Sequence, residues 1–485
     1  MKLKKILKII PEASIKGGKE IEITGICSNS KIISMGNLFV ARRGLTTDGS
    51  KYIPEAIEGG AATILTDIFD PTYKNITQIV VPNVQVAEAL ISSHFYGDPS
   101  RTLHTVGITG TNGKTTVAYL TKHILDNTVG KCGLIGTIEY ITGDRTHPAT
   151  HTTPDVTRNH KLLHEMVSSE CKAAVMEVTS HALEQGRVDQ IHFNVAVFTN
   201  LSQDHLDYHE TMEKYCQAKN LLFRGMDQGY CVANFDDSYM SQIIEGSCCP
   251  LITYGIDSNA DLAAFDLQYK AEGTTFSVRY SEKTYLCMIP LQGKHNVYNA
   301  LAAIGVGLAS GIDIELLIRA AATFPQVKGR LESIPNKLGI HIFVDFAHTD
   351  DALKNILLSL KEIPHRNIIT VFGCGGNRDT KKRPKMAQIA EKHSSFCIVT
   401  SDNPRKEDPM KIIDDITAGF SPQAKYAIEE DRKQAIKRAL EHAQQGDVVI
   451  IAGKGHEGLQ ILSNKTVEFY DAAVVEDLCK ELAIH

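Results

Sequence analysis

The stretch "VGITGTNGKTT", residues 106–116, gathers the residue types that hold a nucleotide's phosphates. Gly107, Gly110 and Gly113 recur at every third position and run into Lys114, Thr115 and Thr116. Glycine lets backbone N–H groups turn inward and approach phosphate oxygens. Lys114 can place a cation on the outer phosphates and Thr115 can offer a hydroxyl to Mg²⁺. The helix expected to start here adds the positive end of its dipole. The spacing is not that of the common Gly-x-x-x-x-Gly-Lys loop, because Ile108 stands where the first glycine belongs. A strand, "HTVGITG", enters the loop and an apolar-periodic helix, "VAYLTKHILD", leaves it, so the reading is a nucleotide site rather than a chance run of glycines.

Magnesium needs further oxygen ligands. Glu177 closes the apolar strand "AAVMEV", where a carboxylate is wasteful unless it faces a site. His205 lies in "NLSQDHLDYHE", directly after the strand "VAVFTN". The His205/His209 spacing is open to zinc, but no third ligand pattern accompanies it. By itself His205 reads as a solvated helix start capped by Asp204. Lys219, in "YCQAKN", by itself reads as a solvated helix lysine.

The elements that must position these groups alternate strand and helix. Residues 1–103 carry short strand-like pieces such as "GNLFVARRG" and "AATILTD", and end in a helix, "EALISSHFYGDPS", with Asp98-Pro99-Ser100 as a linker. Residues 104–332 hold the loop and the strands "KAAVMEV", "NVAVFTN" and "GYCVANF", with βα alternation that marks a mostly parallel sheet. Residues 261–290 change to alternating, antiparallel-type strands. Residues 333–485 return to βα alternation through "IHIFVDF", "NIITVFG", "SFCIVTS" and "DVVIIAG". Each of these is followed by a polar or glycine-rich loop: "AHTDDA", "CGGNRD", "DNPRKED" and "KGHEG". Open α/β sheets bind ligands beyond the carboxyl ends of their strands, so these loops are read as one site.

The chain has 485 residues, too many for one hydrophobic core. Its 43% hydrophobic and 22% charged residues mark a soluble globular protein. A net charge of −6 without a basic block argues against nucleic acid. Eleven scattered cysteines without a Cys-x-x-Cys pair argue for reduced thiols in a cytoplasmic protein. The start, "MKLKKILKII", is read as an amphipathic helix, since Lys8 breaks its apolar run and no small-residue cleavage site follows. No apolar run reaches membrane-spanning length, so no membrane anchor is expected.

In order, "GITGTNGKTT", "MEVTSHAL", "NLSQDHLDYH", "QAKN", "GKHNVYNALAA", "GRLE" and "DFAHTDDAL" resemble the Mur ligase family of cell-wall enzymes, and "GCGGNRD", "SDNPR" and "AGKGHE" narrow the match to its diaminopimelate-adding members. The resemblance spans nearly the whole chain. It implies an α/β fold in three domains: a small α/β N-terminal domain (1–103) for the UDP substrate, a central P-loop-type domain with a mostly parallel sheet (104–332) for ATP, and a Rossmann-like C-terminal domain (333–485) for the amino acid. It also implies ATP and Mg²⁺ as cofactors, closure of the domains around the substrates, and a monomer.

The implied activity joins the amine of meso-2,6-diaminopimelate to the D-Glu carboxylate of UDP-N-acetylmuramoyl-L-alanyl-D-glutamate through an acyl phosphate. By resemblance, Gly110, Thr111, Asn112, Gly113, Lys114, Thr115 and Thr116 hold the ATP phosphates. Thr115, Glu177, His205 and Lys219 match the Mg²⁺ positions, with Lys219 carbamylated to N6-carboxylysine. His295, Asn296 and Asn299 fit the adenine side, and Arg330 and Asp345 fit positions near the phosphates and ribose. By their residue types alone, Asn296 and Asn299 are equally open to capping a helix, and Arg330 to a hinge ion pair.

For the nucleotide sugar the resemblance implies Ser28, Ser30, Leu45, Thr46 and Thr47 on the uridine side. It implies His151, Thr152, Thr153, Thr179, Gln185 and Arg187 on the muramoyl-peptide side. His151 replaces a common asparagine, and Asp350 stands where the family usually has proline, which is expected to loosen that turn. Diaminopimelate differs from lysine by a second carboxylate, so a selective site should present a cation there. By resemblance the loop of Asp402, Asn403, Pro404 and Arg405 lies there, with Arg405 supplying the cation as a bidentate pair and Pro404 stiffening the loop. Arg378 holds the other carboxylate, and Gly453 and Glu457 the distal ammonium. A lysine-adding ligase of the same family is the nearest rival, and a P-loop NTPase switch is the rival from another class.

Overall fold

The computed structural model describes residues 1–44, 48–270, 273–463 and 465–483. Their packing divides the chain into two units, Met1–Leu262 with Ala302–Leu317, and Ala263–Leu301 with Ile318–His485.

The first unit opens with a five-stranded sheet in the spatial order Ser14–Lys16, Thr77–Val80, Thr63–Thr66, Asn37–Val40, Gly25–Cys27. All neighbours run parallel except the first pair. Side-chain alternation along one strand explains its two covered faces. Leu38 and Val40 pack with Leu3, Ile6 and Ile91, whereas Phe39 and Ala41 pack with Ile53 and Ala56. The N-terminal amphipathic segment forms only a short helix, Leu3–Leu7, and buries Leu3 and Ile6. Asp98-Pro99-Ser100, read from its composition as a linker, is a packed turn. Asp98 is left-handed at φ 50°, its carboxylate accepts from Ser93 at 2.7 Å, and Ser100 is buried and accepts from the His192 N–H at 3.0 Å.

A second sheet in this unit carries the glycine loop. His104–Thr109 lies between Ala173–Glu177 and Val195–Phe198, and all three run parallel. Cys132–Ile135 extends the sheet on one side, and Tyr230–Asn234 and Leu251–Ile256 on the other, also parallel. These strands are buried almost throughout because helices cover both faces of such a sheet. Glu177 sits opposite Ile108, so its carboxylate emerges beside the loop that follows Thr109.

The second unit begins with antiparallel strands, of which Gly273–Tyr280 and Lys283–Ile289 pair. Its main sheet runs Glu332–Ser333, His341–Asp345, Val448–Ala452, Ile368–Phe372, Phe396–Val399, Tyr426–Ile428, parallel but for the first pair. Separate clusters around Leu357 and Ile413 and around Ile436 and Val475 cover its two faces. The four polar loops read from the sequence all leave the carboxyl ends of these parallel strands. Asp350 does not loosen its turn. Thr349 caps the helix Asp350–Lys361 and Asp350 is its first residue, where a carboxylate complements the helix dipole.

Candidate active site

In the first unit the glycine loop is pinned from one side by the segment after Val195–Phe198. Thr111 N–H donates to the Asn200 carbonyl at 2.8 Å, Asn112 N–H to Asn200 Oδ1 at 2.9 Å, and Thr199 Oγ1 to the Asn112 carbonyl at 2.6 Å. Gly110 (φ 148°) and Gly113 (φ 85°) take conformations that favour glycine, and a Cβ on Gly110 would lie 1.9 Å from Thr199 Oγ1. Gly113 caps the helix Lys114–Thr128. Lys114 folds back and donates to the carbonyls of Gly110 and Thr111 at 2.9 and 2.8 Å. Thr116 follows it in the helix, half-buried.

Glu177 has no solvent exposure. Its Oε1 accepts from the Thr137 N–H at 2.8 Å, and its Oε2 from Thr115 and Thr137 hydroxyls at 2.8 and 3.0 Å. Thr137 meets Thr152 at 3.1 Å, and Thr153 donates to the Glu177 carbonyl at 2.8 Å. Thr153 Oγ1 accepts from the Thr179 N–H at 3.2 Å. Arg187 donates to the Thr153 carbonyl at 2.9 Å and grips Gln185 Oε1 through Nε and Nη2 at 3.1 and 2.7 Å. His151 is exposed and is held through its backbone by Tyr140. The glycine loop, the Glu177 carboxylate and the threonines expected for the peptide side thus form one connected network.

Lys219, on the helix Met212–Arg224, is buried rather than solvated. Its Nζ donates to the Gly110 carbonyl at 2.9 Å and lies 4.4 Å from the centre of the Tyr215 ring. Burial, then the nearby Lys114 charge, push its pKa well below the ordinary lysine value. His205 is the residue before the helix Leu206–His209, in a left-handed conformation (φ 53°), and its own N–H bonds Asp204. Burial lowers its pKa and Asp204 opposes that shift. His209 does not share a metal site with it: His209 is buried against Ser180 at 2.8 Å and faces Glu184. His181, in the quoted "TSHAL" but given no role, is the centre of this aromatic group, 4.9 Å from His205 and 4.1 Å from Tyr208. Thr137 and Asn200 were likewise not anticipated, because a lone threonine and a lone asparagine carry no spacing signal.

Oxygen donors suit Mg²⁺, and Glu177 with Thr115 fits it; the Lys219 amine fits only once it is converted to a carboxylate. Ser28 is exposed and Ser30 buried, with Ser30 donating to Glu55 at 2.6 Å. Leu45, Thr46 and Thr47 lie outside the described residues.

In the second unit Asn296 and Asn299 are not caps. Asn296 Nδ2 donates to the Gln292 carbonyl and Asn299 Nδ2 to Asn296 Oδ1, both at 2.9 Å. His295 meets Ser359 at 2.9 Å. Asp345 is buried and accepts from the Leu331 and Ala347 N–H groups, both at 2.7 Å. Burial raises its pKa to about 6 while Arg330 opposes the rise. Arg330 stacks over Phe346 at 5.0 Å. Phe346 also packs against His456, so the loops after His341–Asp345 and Val448–Ala452 meet there.

The "DNPR" loop meets its two neighbours. Asn403 Nδ2 donates to Glu457 at 2.7 Å, and Asn403 Oδ1 accepts from Ile461 N–H at 2.9 Å. Asp402 crowds Gly453, where a Cβ would come within 2.7 Å of its carboxylate. Arg405, half-buried and left-handed at φ 54°, donates to the Gly376 carbonyl at 3.0 Å, and its head flanks Gly375 beside the stem of the exposed Arg378. The Pro404 carbonyl leaves no room for a side chain at Gly376. Lys454, buried, ties these loops together through Glu457 at 3.2 Å and the Leu459 carbonyl at 2.6 Å. Arg383 holds Glu407 and Asp415, both at 2.8 Å, and so fixes the far side of the same loop.

A strand–glycine-loop–helix with a buried carboxylate beside it, and a second parallel sheet with charged loops at its carboxyl edge, define a nucleotide-binding α/β protein. Family models for the Mur ligase middle domain (residues 108–307), the Mur ligase glutamate ligase domain (329–455) and the Mur ligase family catalytic domain (22–94) all match. The chain belongs to the Mur ligase family. It is 42% identical to the UDP-N-acetylmuramoyl-L-alanyl-D-glutamate–2,6-diaminopimelate ligase of Caldanaerobacter subterraneus subsp. tengcongensis, over 99% of each chain. It is 43% identical to a second such ligase, from Clostridium acetobutylicum, over 99% of this chain and 100% of the relative. A solved structure of a UDP-N-acetylmuramoyl-L-alanyl-D-glutamate–2,6-diaminopimelate ligase superposes with a TM-score of 0.73 at 31% identity, covering 100% of this chain and 99% of that one. Among the described residues no helix is long and apolar enough to cross a membrane.

Proposed function

We propose that this chain is an ATP-dependent ligase that adds meso-2,6-diaminopimelate to UDP-N-acetylmuramoyl-L-alanyl-D-glutamate in the cytoplasmic synthesis of peptidoglycan precursors. The observation that carries the reading is end-to-end similarity to ligases of that name, joined to an arginine, Arg405, held at a strand end where a second carboxylate needs a cation.

The chemistry follows from the groups present. A carboxylate is a poor electrophile, so its oxygen attacks the γ-phosphorus of ATP, ADP leaves, and the acyl phosphate forms. The amine then attacks the acyl carbon and inorganic phosphate departs. Positioning and charge neutralisation carry such a reaction. Lys114 and the N–H groups at the start of the helix Lys114–Thr128 receive the phosphates, while the Thr111 and Asn112 N–H groups are held by Asn200 and shape the loop. Thr152, Thr153, Thr179, Gln185 and Arg187 orient the peptide end next to them. The Lys219 amine, whose burial disfavours its charged form, adds to CO₂ as the free base and loses a proton, which puts a carboxylate oxygen ligand where an amine stood. Thr115, Glu177, His205 and this carbamate would hold Mg²⁺, which would supply neutralisation of the crowded phosphate charge. Arg330 and Asp345 serve the nucleotide, with His295, Asn296 and Asn299 on the adenine side. Ser28 and Ser30 serve the uridine side. Arg405 and Arg378 take the two carboxylates of the free end of diaminopimelate and its reacting centre, and Asp402, Asn403, Gly453 and Glu457 take its distal ammonium.

The test is phosphate release with meso-diaminopimelate, its LL isomer and L-lysine offered together, followed by product analysis. Release that requires both the UDP-dipeptide and an amino acid, with the meso-diaminopimelate adduct dominant, is expected. A dominant lysine adduct would give the chain to the lysine-adding branch, and release with ATP alone would give it to the NTPase reading.

A further inference from the structure

The loops at the carboxyl edge of the first sheet carry a charge arrangement that the reaction above does not use. Arg42 follows the strand Asn37–Val40, and Glu88 lies on the helix Val84–Phe95 behind it. The Arg42 Nη1 lies 3.6 Å from Glu88 Oε2, longer than a hydrogen bond. Glu88 has no exposure, whereas the Arg42 side chain is 31% exposed, so the pair is anchored at its acidic end and open at its basic end. Glu88 Oε1 accepts from Thr157 at 3.0 Å, Thr157 meets Ser92 at 2.9 Å, and Glu88 Oε2 has no hydrogen-bond partner. Thr157 stands in the first turn of the helix Val156–Ser168, which follows the Thr152–Thr153 segment directly.

We propose that Arg42, steadied from behind by Glu88, binds the diphosphate of the nucleotide-sugar substrate. The inference rests on the proposed function and deepens it. Ser28 and Ser30, at the end of Gly25–Cys27, serve the uridine, and Thr152, Thr153 and Arg187 serve the muramoyl peptide. In that substrate the diphosphate lies between these two parts. Arg42 leaves the neighbouring parallel strand to the one that carries Ser28, at the same carboxyl edge. On its other side its charge bears on Arg187, whose pKa burial and Arg42 both lower. Two guanidinium groups that repel each other, with Glu88 withheld in the interior and Asp155, whose charge also bears on Arg187, engaged in capping the helix Val156–Ser168, make a place for an anion. A forked guanidinium matches phosphate oxygens better than a point charge does.

The experiment measures KM for the nucleotide sugar, and affinities for UDP and uridine, in the parent, Arg42→Ala, Arg42→Lys and the double variant Arg42→Ala/Glu88→Gln. The double variant leaves no orphaned buried charge and retains an acceptor for Thr157. Arg42→Ala and the double variant should weaken UDP binding and raise KM by about 10- to 100-fold, with uridine affinity unchanged and the loss falling on KM rather than kcat. Arg42→Lys should fall between. Parent-like UDP affinity in both alanine variants, or an equal loss toward uridine and UDP, would overturn the assignment while the ligase reading stands. A parent that binds no UDP and uses no nucleotide sugar would remove both.

Discussion

Lys219 donates to the carbonyl of Gly110, 2.9 Å away, from a side chain that is 1% exposed. A charged ammonium in that position faces Lys114 and a buried environment that both oppose the charge. On the proposed reading, carbamylation resolves the conflict. Lys219→Ala is expected to lower phosphate release by roughly 100-fold or more, and a small carboxylic acid added to the assay should restore part of it. Labelling with carbon-13 bicarbonate should show a carbamate signal in the parent that Lys219→Ala lacks. Full activity in that variant without added acid would remove the carbamate from the mechanism.

Much of this site was legible in the sequence. The apolar strands announced themselves by β-branched runs followed by glycine or polar residues, so the loops after Thr109, Asp345, Phe372, Val399 and Ala452 could be placed on strand ends. Residue types alone gave Lys114 and Thr115 a role. They misled at Lys219, read as solvated by itself, because helical periodicity does not say how deep one lysine of the helix sits. Asn200, Thr137, Lys454 and the Arg42–Glu88 pair were not legible at all. Each acts through a partner that is distant in sequence or brought near only by a turn, and no spacing rule encodes such meetings.

Gly136 offers a way to disturb Glu177 without altering it. A Cβ at Gly136 would lie 2.5 Å from Glu177 Oε1, which is itself held by the Thr137 N–H at 2.8 Å. The carboxylate must therefore swing away from its donors. Gly136→Ala should reduce kcat by roughly 10- to 100-fold and raise the Mg²⁺ concentration needed for half-maximal rate. An unchanged Mg²⁺ titration would mean that Glu177 tolerates the shift and is not tied to the cation.

Arg405 is held by its carbonyl contact to Gly376 and by a backbone bond from its N–H to the Ile461 carbonyl at 3.0 Å. Its left-handed backbone is the kind of local strain that is stored where a side chain must be aimed. Removing one partner of a buried charge pair costs about 3–5 kcal/mol, roughly two to four powers of ten. Arg405→Ala should therefore lose about that factor in kcat/KM for diaminopimelate and lose little for lysine. Arg405→Lys should recover only part, since it cannot form the fork. If Arg405→Ala discriminates against lysine as well as the parent does, another residue makes the choice.

Glu88 also gives the fold a pH dependence of determinate sign. Burial raises its pKa from 4.5 to about 7; Asp155 adds to the rise, and Arg42 and the Thr157 hydrogen bond oppose it. A carboxyl group with a raised folded-state pKa binds more protons folded than unfolded between those two values. Its contribution to stability therefore falls as pH climbs from about 4.5 to about 7 and is level above that window. Glutamine cannot ionise and keeps an acceptor for Thr157. Glu88→Gln should match the parent near the acid end of the window and be more stable by about 2 kcal/mol at slightly alkaline pH, read as a pH-dependent difference in Tm. The partly exposed Arg42 head can turn to water, so its lost partner offsets only part of that gain. A Tm difference that stays constant across the window would mean that Glu88 is ionised throughout it, with Arg42 rather than burial setting its charge.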